Sequence, residues 1–105
     1  MLATEDICPY TGPVRFEWDS RKASANLRTH GVSFAEAVTV LKDDLALTRE
    51  DVADGEEQRF VSLGLSDSAN LLVVVYAYRE PDIIRLISAW KANRRQKEQY
   101  EEGRR

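Results

Sequence analysis

"NLLVVVYAYREPDIIRLIS", residues 70–88, decides the fold. Two runs rich in β-branched and aromatic residues, 70–79 and 82–88, meet at Glu80-Pro81-Asp82. Such runs suit a pleated, half-buried surface, and so short a connection joins two strands only as an antiparallel pair. In the second run Ile83, Arg85 and Ile87 share one face, while Ile84, Leu86 and Ser88 share the other. With a turn of two or three residues, Tyr78 or Ala77 lies opposite Arg85. An arginine amid this much apolar surface needs a carboxylate such as Glu17 or Glu50, a carbonyl or an anionic ligand, because an unpaired buried charge is costly.

Working outward, "LALTRE" (45–50) and "QRFVSLGLS" (58–66) read as further strands, as does the alternating "VRFEW" (14–18). Between them lie two amphipathic helices. Asp19 caps the first, over about 20–30, and Gly31 supplies its left-handed stop, with Val32 expected to pack back on Leu27. Ser33 and Glu36 form a capping box for the second, over about 34–43. This helical hairpin must lay its apolar stripes on one face of the antiparallel sheet. A final helix is expected over about 89–102, which makes an α+β domain. Residues 1–13, closed by "PYTGP", read as a loose arm, and 14–105 as a single domain.

The chain of 105 residues is 43% apolar and 31% charged, as expected for a globular protein with one core. Cys8 and His30 are the only residues of their types, which excludes an intrachain disulfide and makes a structural zinc site untenable. No metal or other cofactor is expected. The N-terminus lacks a secretory pattern and the apolar run 71–78 is too short to cross a bilayer, so a cytoplasmic protein without a membrane partner is expected. A net charge of −3 argues against coating nucleic acid by bulk charge. The charge is unevenly spread, however: acids crowd residues 43–57, while bases crowd 85–105.

Lys91, Arg94 and Arg95 would open the final helix and Glu98, Glu101 and Glu102 would close it. That order opposes the helix dipole, and an anionic partner near the helix start would account for it. A solvated helix with Arg94–Glu98 pairing is the plainer reading. His30 reads as a helix C-terminal cap or dipole partner, with Lys22 two turns earlier on the same helix. Trp90 reads first as a core anchor and second as a platform for a stacked base.

The stretches "FEWDSRKASANLRTHGVSFAEA" (16–37), "RFVSLG" (59–64), "LLVVVYAYR" (71–79) and "IRLISAWKANRRQKEQYEE" (84–102) together resemble the BrnT-type toxins of bacterial toxin–antitoxin systems. The ordered set Trp18-Asp19, Lys22, Asn26, His30-Gly31 and Ile87-Ser88 carries the resemblance. It implies a RelE-like fold, ribonuclease activity that blocks translation, and neutralisation by a cognate BrnA-type antitoxin, through which the complex binds operator DNA. One position departs: the family commonly has arginine where this chain has Trp90. Lys91 or Arg94 would then supply the missing charge. A toxin-like binding module, acting only as antitoxin partner and co-repressor, is the alternative reading.

Metal-independent RNA cleavage needs the 2′-hydroxyl deprotonated, the leaving oxygen protonated and the phosphorane charge stabilised. With one histidine, a two-histidine mechanism is excluded. Under the resemblance, Arg59, Arg85, Lys91 and Arg94 would grip the phosphate, Lys91 or His30 would carry protons, and Lys22, Arg79 and Arg95 would add RNA contacts.

Overall fold

The computed structural model describes residues 14–51, 58–79 and 82–103; the expected arm at 1–13 lies outside them. The elements run β1 (Arg15–Glu17), α1 (Ser20–His30), α2 (Phe34–Val40), β2 (Leu47–Asp51), β3 (Arg59–Leu65), β4 (Leu71–Arg79), β5 (Ile83–Lys91) and α3 (Arg94–Gly103). The strands form one sheet in the order β1-β5-β4-β3-β2. It is antiparallel except where β1 runs parallel to β5. Among the described residues, no helix is long and apolar enough to cross a membrane.

Local chemistry sets both early helices. Asp19 Oδ1 accepts from the Arg21 N–H at 2.7 Å, and Gly31, at φ 70°, donates its N–H to the Leu27 carbonyl. Ser33 Oγ accepts from the Glu36 N–H at 3.1 Å. Val32 lies in the core at 1% exposure, whereas Leu27, on which it was expected to pack back, is 51% exposed. Helix α2 stops at Val40, not 43, because Leu41, Lys42 and Asp43 donate to carbonyls three residues back in tight turns.

The first core joins Val32, Phe34, Ala37 and Val40 to Leu72, Val74, Leu86 and Ala89, so α1 and α2 cover one sheet face. Gly64 lets the α2–β2 corner approach β3, since a Cβ there would lie 2.9 Å from Ala46 Cβ and 3.0 Å from Val40 Cγ1. On the opposite face Tyr100 of α3 and Ala92 pack with Leu63 and Val73.

The expected helix start at 89 is corrected. Strand β5 continues to Lys91, with Ser88, Ala89, Trp90 and Lys91 paired to Val75, Val74, Val73 and Leu72. Ala92 then donates its N–H to the Leu71 carbonyl. The helix begins only after a reciprocal cap in which Asn93 Oδ1 accepts from the Gln96 N–H and Gln96 Oε1 from the Asn93 N–H, both at 2.8 Å. Lys91 is therefore a strand residue, and of the expected dipole-opposing bases Arg94 and Arg95 remain in the first helical turn. Strict alternation in 82–88 is also corrected. Val75 pairs with Ser88 but Tyr76 with Leu86, so Ile87 is an extra residue at a bulge.

Candidate functional site

Among the described residues, strand β1 covers β5 only along residues 83–85, and no other strand pairs with the outer edge of β5 beyond them. An uncovered edge exposes N–H and C=O groups that need partners. Asn26, 7% exposed on the inner side of α1, supplies them. Its Nδ2 donates to the carbonyls of Ala89 (2.8 Å) and Val32 (3.0 Å), while its Oδ1 accepts from the Ala89 N–H and the Ser88 hydroxyl, each at 3.1 Å. One amide side chain thus stands in for a strand partner.

Lys22, Asn26 and His30 recur every four residues and so share one side of α1. A groove of about 220 Å³ between this side and β5 is lined by Lys22, Asn26, Thr29, His30 and Ile87. It adjoins an open pocket of about 590 Å³ lined by Thr29, His30, Trp90 and Lys91. The His30 and Trp90 rings lie 6.0 Å apart, tilted by 46°. The fold therefore places His30 with Lys91 in one pocket and with Lys22 along the adjoining groove. Lys91 also helps, after hydrogen bonds from Asn70 and Ser66, to hold the Glu36 carboxyl below the usual carboxylate range.

The other cations collect on the opposite sheet face. Ala77 pairs with Arg59 on one side and Arg85 on the other, so directly opposed side chains place both arginines in one cross-strand row. Glu17 and Asp51 extend this row at its two ends. The register leaves Ala77, not Tyr78, opposite Arg85. Neither expected carboxylate pairs with Arg85: Glu17 meets Arg79 at 3.5 Å and Glu50 accepts from Gln58 Nε2 at 2.8 Å. Arg85 makes no ion pair among the described residues. Beside the row, under α3, a cleft of about 720 Å³ is floored by Val61, Val73 and Val75 and walled by Trp90, Gln96 and Gln99. Arg49 borders the cleft too, a cation that the strand pattern of 45–50 gave no reason to single out.

Trp90 lines both this cleft and the His30–Lys91 pocket and is half-buried between them. Arg94 is exposed, 3.9 Å from Glu98, and Arg95 is exposed beside it. The eight expected site residues thus divide among the α1–β5 side, the open sheet face, the β1–β4 ion pair and the start of α3. In the sequence Asn26 stands out only within the ordered set that carries the BrnT resemblance. Its role depends on Ala89, which no local pattern connects to it.

A family model described as the ribonuclease toxin BrnT of type II toxin–antitoxin systems matches residues 18–96. Among solved structures, the ribonuclease toxin BrnT of Brucella abortus superposes with a TM-score of 0.63 at 21% identity, covering 78% of this chain and 100% of that one. No curated protein matches the chain. The superposition establishes a shared α+β fold, and the family match spans most of the sequence, including the α1–β5 side and the arginine row. The chain belongs to the BrnT family of ribonuclease toxins of type II toxin–antitoxin systems.

Proposed function

We propose that the chain is an endoribonuclease that cleaves RNA without a metal ion, inhibits translation in the manner of RelE-like toxins, and is neutralised by a cognate BrnA-type antitoxin that carries the complex to operator DNA. The observation that carries this reading is the meeting of His30 and Lys91, from distant parts of the chain, in one open pocket. The His30 imidazole takes the proton of a 2′-hydroxyl. The 2′-oxygen attacks phosphorus, the bond to the 5′-oxygen breaks, and the Lys91 ammonium stabilises the phosphorane and protonates the leaving oxygen. The products are a 2′,3′-cyclic phosphate and a 5′-hydroxyl.

Arg85 and Lys91 are six positions apart on a bulged strand, roughly 15–20 Å at about 3.3 Å per residue. The Arg59–Arg85 row therefore grips a different phosphate of the same RNA strand. Lys22 extends the path along α1, and Arg79, Arg94 and Arg95 add peripheral charge. Replacing His30 or Lys91 by alanine is expected to slow cleavage of a defined RNA by about 10²–10⁴-fold. Arg59→Ala with Arg85→Ala should raise KM and leave kcat near wild type. Undiminished cleavage by a folded His30→Ala, Lys91→Ala double variant overturns the assignment. Co-expression with the neighbouring gene should yield a co-purifying complex that suppresses cleavage.

A further inference from the structure

The cleft beside the arginine row has a chemistry of its own. Its floor is apolar and its wall carries the two amides of Gln96 and Gln99, each able to donate and accept. Gln96 uses its Oε1 on the Asn93 N–H, which leaves its Nε2 pointing no bond at any described residue. Among the described residues, the charges that line the cleft, Arg49 against Asp51 and Glu102, carry no positive excess. An acidic peptide or a phosphate gains nothing there, whereas a neutral, flat, hydrogen-bonding group does. About 720 Å³ lies within the range of small-ligand sites, ample for one nucleoside.

The surroundings make the group a base of the same RNA. Ala77, between Arg59 and Arg85, is two residues beyond Val75 of the cleft floor on the same face, about 7 Å away. Trp90 forms the far wall and also borders the His30–Lys91 pocket. A strand with one phosphate on the arginines and its reacting phosphate two or three nucleotides further on, at His30, has this indole along its path.

We propose that Trp90 is a specificity-determining residue: a stacking platform that holds one of the nucleobases between the arginine-bound and the reacting phosphates, with the Gln96 and Gln99 amides reading its edge. The inference rests on the phosphate assignments above. Stacking on an aromatic side chain is worth about 5- to 140-fold in affinity per base, equivalent to ~1–3 kcal/mol.

The test uses the purified full chain and short 2′-O-methyl oligonucleotides, which cannot be cleaved because the attacking hydroxyl is blocked. In a Trp18→Phe background Trp90 is the sole indole, since the chain has two tryptophans. Base-bearing oligonucleotides should quench its emission, and one abasic position should weaken binding by the factor above. In Trp90→Leu that abasic penalty should vanish, and in Trp90→Phe it should persist in part. Gln96→Ala and Gln99→Ala should alter the ranking of the four bases at that position. Unchanged Trp90 emission on saturation, or an abasic penalty equal in wild type and Trp90→Leu, overturns the platform. Quenching by an acidic helical peptide but not by oligonucleotide overturns it in favour of a protein-docking surface. Loss of the salt-dependent binding in Arg59→Ala, Arg85→Ala tests the phosphate reading separately, because abasic and intact strands carry the same phosphates.

Discussion

Asn26 shows how much one side chain can organise. It bonds to both backbone groups of Ala89 and to the carbonyl of Val32, so it fixes β5, α1 and the turn after α1 at once. Those groups are buried, and removing the amide leaves donors and acceptors without partners. Asn26→Ala should therefore cost about 2–4 kcal/mol in urea unfolding, more than an ordinary buried hydrogen bond. Because Trp90 and Lys91 follow directly on the strand, the same variant should lose RNA binding under conditions where it is still folded. Asn26→Asp tests the direction of the bonds: a carboxylate cannot donate to the Ala89 and Val32 carbonyls, so it should be as damaging as alanine at neutral pH. A variant as stable as wild type would show that α1 holds the β5 edge by apolar packing alone.

Among elements, α2 and the β3–β4 turn are joined by charge. Glu36 Oε2 accepts from Ser66 Oγ at 2.7 Å and from Asn70 Nδ2 at 2.8 Å, while the turn itself is tightened by Ala69 at φ 65°. These hydrogen bonds, with a smaller contribution from Lys91, lower the Glu36 pKa against a partial desolvation that raises it. A carboxyl whose folded pKa is depressed contributes stability that is fully present above its unfolded value and lost as pH falls through the folded one. Glu36→Gln should thus destabilise by about 1–2 kcal/mol at neutral pH, a range discounted for partial exposure. The difference from wild type should shrink on acidification from about pH 7 to about pH 3 in urea midpoints. A constant difference across that range would place the effect in packing rather than in charge.

At the scale of the whole molecule, the two layers that flank the sheet meet at Asp43. Its carboxylate accepts from the Leu65 N–H at 2.8 Å at the end of β3 and from the Tyr100 hydroxyl at 2.6 Å in α3. Asp43 lies in the turn between α2 and β2, so this contact ties the helix on one face to the corner that follows the helices on the other. Tyr100→Phe keeps the buried ring and removes the charge-assisted bond, for an expected loss of about 1–2 kcal/mol. Since α3 also walls the cleft under Gln96 and Gln99, the variant should loosen that wall, read as faster amide exchange confined to α3. Exchange spread evenly over the sheet would mean that α3 docks through its apolar contacts alone.

What the sequence determined by itself is local. Asp19, Gly31 and Ser33 act within three or four residues, so the bounds of α1 and the start of α2 were legible, as were the antiparallel β4–β5 pair and the supply of cations. The Asn93–Gln96 cap is equally local, yet the apolar and basic residues up to Lys91 mask it by suggesting an earlier helix. What the tertiary structure decided spans long separations. Residues 88–91 are strand because β4 is long enough to pair with them and because Asn26, 63 positions from Ala89, caps their free edge. Glu17 goes to Arg79 rather than Arg85 because parallel pairing of β1 and the β5 bulge set the faces. The division of the cations between two sides of the sheet follows from the same register: side chains alternate, so one bulge redirects every residue beyond it.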